Sequence, residues 1–175
     1  MAVEGAGDIG NGLLHPLMTP VHVLILLGIG LLLGQRVPLN LKTPIQVFAP
    51  ASSIALILTT TGWVANVYQP LLIGIALCLG ILVGLGSKLP QLVYVVLCAV
   101  AAAGIGCDSA VEAGSVVVVA KTLLGTWFSV NAVVLYLAIC ASNGAEKKWA
   151  QTGIRVVGSW IVAISLMVLA FSLRK

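Results

Sequence analysis

The chain has 175 residues, of which 60% are hydrophobic and only 8% charged, with a mean hydropathy of +1.14. Soluble domains carry about 25% charged residues, so this composition leaves no polar coat for a water-facing surface and makes lipid the solvent. The formal net charge of +4 then bears on orientation in the bilayer, and nucleic acid is excluded as a partner because aromatic residues are too sparse for stacking platforms.

The N-terminal stretch MAVEGAGDIGNG has no positive charge and no apolar core, so a signal peptide is not expected there. A spanning helix needs roughly 20 mostly apolar residues. Hydropathy and breakers together predict a first span at about 17–34, ending before Gln35 and Arg36. Its mouth reads LLHPLMTPVH, with His15 and His22 seven residues apart. Pro20 suits a first helical turn, which makes Thr19 the expected N-cap and leaves His15 in an extended segment that must fold back if the rings are to meet. The second span is expected at about 46–65, closed by NVYQP, and the third at about 71–87, stopped by SKLP. A fourth at about 90–106 is followed by GIGCDSAVEAGS, a fifth covers about 115–141 and a sixth about 154–173. The fold class is therefore all-α, a polytopic bundle of six transmembrane helices in a single integral membrane domain, 1–175.

Charge distribution sets the orientation. With six spans and the N-terminus outside, the inward loops hold Arg36, Lys42, Lys88, Lys147, Lys148 and Arg155, six of the nine Lys and Arg. The outward segments hold Glu4, Asp8, Asp108 and Glu112; only Arg174 and Lys175 fall on the wrong side of the positive-inside rule. This topology brings His15, His22, Asp108 and Glu112 to the same outer face. Asp108 and Glu112 are four apart, one helical turn. Imidazole with carboxylate is a ligand set that first-row metals such as nickel and cobalt accept. Polar residues also gather at helix ends with no ligand at all, so the cluster carries two readings.

The remaining signals concern packing. Gly30 and Gly34 form GxxxG, as do Gly80 and Gly84, and small residues let backbones approach where lipid supplies no hydrophobic drive. Packing inside the bundle is the favoured use, with a homo-oligomer or other membrane subunits as the alternative. Lys121 lies about two turns inside the fifth span, roughly 9 Å deep, and is expected to pair with Glu112 or to snorkel outward. Asn131, deeper in that helix, is expected to bond across to a neighbour. Cys78, Cys98, Cys107 and Cys140 stand singly, with no disulfide framework and no zinc knuckle. No nucleophile–base pair, redox motif or phosphate-binding glycine loop marks an enzyme.

At this level of detail the chain resembles the HupE/UreJ family, over about 13–173. HPLMTPVH keeps the family's His-Pro and second histidine as His15, Pro16 and His22, with Thr19 at its glycine position and Val21 at its aspartate position. LLIGIALCLGILVGLGSKLP is similar to the family's third helix and the basic-Leu-Pro turn after it. VVVVAKTLLGTWFSVNAVVLYLAI is similar to its fifth helix and RVVGSWIVAISLMVL to its last. The family's His-Gly-x-x-His-Gly-x-Glu run aligns with IGCDSAVE, where Ile105 and Ser109 stand for the histidines and Glu112 stays in register. The resemblance implies a nickel or cobalt permease, or a metal-delivery accessory protein, in a bacterial inner membrane or an organelle membrane of bacterial origin. Its metal site would consist of His15, His22 and Glu112, with Asp108 as a substitute ligand and the metal as cargo. The rival reading is a non-transporting structural subunit of a larger membrane complex, which the replaced histidines favour.

Overall fold

The computed structural model describes residues 7–36, 39–61, 69–111 and 115–172, which form seven helices and no strand. They are α1 (Gly7–Met18), α2 (Pro20–Gly34), α3 (Lys42–Thr60), α4 (Gln69–Leu85), α5 (Gln91–Cys107), α6 (Val116–Gly144) and α7 (Lys148–Ser172). Of these, α3, α6 and α7 are long and apolar enough to cross a bilayer by themselves. The pair α1 and α2, bent by 75° at its break, makes a fourth candidate if counted as one span. Helices α4 and α5 are apolar but have 17 residues each.

The first segment departs most from the sequence-based expectation. Instead of one helix from 17 with His15 extended before it, a helix begins at Gly7, carries His15 in its last turn and breaks at Thr19. Proline explains the break. Pro20 has no N–H to give the carbonyl four residues back, and its ring disfavours a helical Thr19, which is extended at φ −95° and ψ 108°. Thr19 stands at the N-cap position but makes no side-chain cap; its hydroxyl donates instead to the His15 carbonyl at 3.0 Å.

Helix α2 is apolar on every side, and a helix without a polar face must be buried. Ile25, Leu26, Ile29, Leu32 and Leu33 are all enclosed. Glycines let the neighbours close in. A Cβ on Gly28 would lie 2.7 Å from Leu79 Cβ in α4, and one on Gly30 2.6 Å from Leu137 Cβ in α6. At Gly34 it would strike Ala141 and the Ala138 carbonyl of α6. The second pair works likewise between α4 and α7: a Cβ on Gly80 would meet Ile161 at 2.9 Å, and one on Gly158 would meet the Gly84 nitrogen at 2.6 Å. Both GxxxG pairs are thus engaged within the chain.

The outward faces of the other helices are greasy. Leu92, Val116, Phe128, Tyr136, Trp160 and Phe171 are all well over half exposed, a surface that only lipid or another apolar partner would cover. The two ends of the bundle differ in chemistry. At one, Gln35 Nε2 donates to the Val83 carbonyl at 3.0 Å and the Arg36 guanidinium lies 5.2 Å from the centre of the Tyr94 ring. At the other, the start of α2 meets the end of α5 through His22 and Asp108.

The glycine contacts give a direct test. Gly34→Ala forces α2 away from the α6 backbone and should cost about 1–3 kcal/mol, read as a lowered unfolding midpoint of the detergent-purified protein. Gly74→Ala is the control: a Cβ there meets nothing within 4 Å, and the gain in helix propensity should leave stability unchanged or slightly raised. Equal losses for the two variants would contradict this account of the packing.

Candidate functional site

What seats His15 is the docking of α1 on α6. Pro16 lacks the N–H that would reach back to Gly12 within the helix. The Thr126 hydroxyl takes up that Gly12 carbonyl, at 3.1 Å, and also bonds to the Thr122 carbonyl. Gly12 and Gly125 face this crossing: a side chain on Gly12 would run into the Thr122 carbonyl, and one on Gly125 into the Ile9 carbonyl. The two backbones therefore touch, and α1 is fixed where the chain turns into α2.

Around that corner His15 and His22 come together, with ring centres 5.7 Å apart at an interplanar angle of 71°. Thr19 helps by tying its hydroxyl to the carbonyl of His15 across the bend. His22 is fully buried, and its Nε2 lies 2.9 Å from Asp108 Oδ2. Asp108 is the C-cap residue of α5. A carboxylate is electrostatically misplaced at a helix C-terminus, so its position is explained by the imidazole and not by the helix. With Nε2–H donating to the carboxylate, a neutral His22 carries its lone pair on Nδ1. That Nδ1 is buried and has no partner among the described residues, and the same holds for Nε2 of His15.

This arrangement is the one found around protein-bound metals: an imidazole oriented by a carboxylate on one nitrogen and open on the other. Two imidazoles ligating one ion at about 2.1 Å hold their ring centres about 5–6 Å apart, the spacing seen here. Among the described residues no group of three His, Cys, Asp or Glu stands ready to hold a metal. Glu112 lies outside the described residues.

The chain matches the family model described as HupE / UreJ protein over residues 1–168. It belongs to the HupE/UreJ family. Searches of curated proteins and of solved structures give no match. At family level, membership supports a nickel/cobalt accessory or transport-related membrane protein.

Against this HupE/UreJ background, the two replaced histidine positions have other work. Ile105 is buried in the apolar core, and Ser109 is buried with its hydroxyl donating to the Ile105 carbonyl at 2.7 Å. Val21, at the family's aspartate position, is buried too. The carboxylate beside His22 comes from Asp108, whose oxygen rests on the histidine and leaves one nitrogen each of His22 and His15 open among the described residues. Sequence spacing grouped Asp108 with Glu112 as ligands; it gave no sign of an orienting role, which depends on α5 ending beside the start of α2. The signal for the α1 dock was present but unread, in Gly12, Gly125 and Thr126.

Two flanking expectations are also placed. Asn131 Nδ2 donates to the Trp127 carbonyl at 2.8 Å and reaches Ser52 Oγ of α3 at 3.4 Å, while Trp127 Nε1 donates to the Ala49 carbonyl at 3.1 Å. Lys121 is exposed on α6 without an ion pair among the described residues, and its pairing with Glu112 falls outside them.

The Asp108 contact predicts a fixed tautomer. Nitrogen-15 NMR of labelled histidine should place the His22 proton on Nε2 in the metal-free protein, and Asp108→Ala should abolish that preference. The same variant leaves a buried N–H unpaired and should lower stability by about 1–3 kcal/mol. A proton found on Nδ1 in the wild type would refute the orientation.

Proposed function

We propose that the protein captures a nickel or cobalt ion at the corner between α1 and α2 and serves its delivery or passage across the membrane. The carrying observation is that His15 Nε2 and His22 Nδ1 are both buried, both without a partner among the described residues, and on rings whose centres are 5.7 Å apart. A buried polar nitrogen left unpaired costs about 1–3 kcal/mol; two side by side are accounted for by a ligand that both can bind. Asp108 orients the His22 ring and adds negative charge beside the ion. Further ligands come from Glu112, which keeps the family register, and from water, so the ion is held weakly enough to be handed on.

The same proposal takes six passes with the N-terminus on the non-cytoplasmic side. At about 26 Å, the 17-residue α4 and α5 sit at the lower limit of about 17 residues for a span. The basic residues support the orientation, since Arg36, Lys88 and Arg155 share the end opposite His22. A single cysteine placed in 144–150 should resist membrane-impermeant reagents in intact cells and react after permeabilisation. Labelling from outside would overturn the topology.

Uptake tests the function itself. Cells expressing wild type should accumulate nickel or cobalt above an empty-vector control, and His22→Ala and His15→Ala should each fall to that baseline. Asp108→Asn keeps the shape without the charge and should retain part of the activity, reduced about tenfold or more. Wild-type uptake and binding no better than His22→Ala would leave the chain as the structural subunit of a larger assembly, a role the loss of histidines at 105 and 109 already favours.

A further inference from the structure

The end of the bundle opposite His22 holds a cavity of about 540 Å³ where the end of α2, the α4–α5 turn and the α6–α7 turn converge. Three cations line it, Arg36, Lys88 and Arg155, against one carboxylate, Glu146. Glu146 is exposed, and none of the four makes an ion pair among the described residues. Arg36 is held with one face toward the Tyr94 ring, while its Nη1 is buried and has no partner among the described residues. Arg155 is laid over the α4 terminus: Gly86, at φ +62°, lies so close that a Cβ would come within 2.8 Å of both Nε and Nη2. Beside them, Gln35 donates from Nε2 to the Val83 carbonyl and leaves its buried Oε1 without a partner among the described residues.

A guanidinium nitrogen withdrawn from water and left unpaired is costly, and two forks beside a lysine match the oxygens of a phosphate group. The orphan Gln35 oxygen adds an acceptor for a hydroxyl on the same ligand. We propose that this cavity binds a phosphate group with a hydroxyl on or beside it, supplied either by the headgroup of an anionic phospholipid or by free hydrogen phosphate. The pocket is built from the turns at the far end of α2 and functions independently of any metal at the histidines. Occupied by a lipid headgroup, it fixes the bundle to the charged leaflet; filled by free phosphate, it closes the gap between the turns.

The test uses the full chain purified in a neutral detergent and titrated with short-chain phosphatidylglycerol, with short-chain phosphatidylcholine, and with inorganic phosphate, binding being read by native mass spectrometry and by thermal stabilisation. Saturable binding of phosphatidylglycerol that inorganic phosphate does not displace assigns the site to a lipid headgroup; saturable binding of phosphate that displaces the lipid assigns it to the free anion. Arg36→Gln and Arg155→Gln should each weaken that binding about fivefold or more. Lys88→Gln, on an exposed turn that tolerates substitution, should do so with the fold intact, whereas Lys148→Gln, outside the cavity, should have no effect. Binding of phosphatidylcholine as tight as that of phosphatidylglycerol, no saturable binding of either anion, or unchanged affinity in Lys88→Gln and Arg36→Gln together would overturn the proposal.

Discussion

A histidine with no exposed surface must find a partner for its ring, and His22 finds one on another helix. It is the third residue of α2, just after the break in the first apolar segment, and α2 is the helix that every side of the bundle covers. The Asp108 carboxylate at 2.9 Å ties the beginning of α2 to the end of α5 and sets which nitrogen of His22 stays open. The break at Thr19 and Pro20 then turns α1 back so that the His15 ring centre lies 5.7 Å from that of His22. Proline sets the turn and the apolar sides of α2 bury the helix, while the Asp108 contact satisfies the one polar ring that this burial encloses.

The rest of the packing is the work of small residues. Where lipid bathes the outside, apolar side chains give helices no reason to prefer one another, and contact area between backbones decides. Gly30 and Gly34 bring α6 against α2, Gly80, Gly84 and Gly158 bring α7 against α4, and Gly12 with Gly125 lays α1 on α6. The bundle reads as a set of glycine-lined seams around α2, with large side chains left to face outward.

Much of this was legible in the sequence. Composition alone excluded a soluble domain, the breakers marked the helices after the first to within a few residues at most ends, and the two GxxxG pairs pointed to intrachain seams. The family resemblance rested on HPLMTPVH and on helices whose order the structure keeps. What could not be read was the corner. His15 was expected in an extended strand of chain because proline usually starts a helix, yet two prolines four apart allow one helix to end and another to begin within two residues. The role of Asp108 was hidden for a different reason. Spacing along one helix suggests which side chains share a face, whereas a contact over 86 residues depends on where two helices end. The basic cavity was equally hidden, since Arg36, Lys88 and Arg155 counted only as topology markers until their turns met.

The two ends of α2 are about 22 Å apart and differ in chemistry, with two imidazoles and a carboxylate at one and guanidinium groups at the other. The central claim is that the cation site is the His15–His22 pair, and anomalous scattering from crystals grown with cobalt tests it most directly. The account predicts a single cobalt peak between His15 Nε2 and His22 Nδ1, with Asp108 still on Nε2 of His22. A cobalt peak on the Asp108 carboxylate with His22 Nδ1 left open, or no peak at the α1–α2 corner at saturating cobalt, would contradict it.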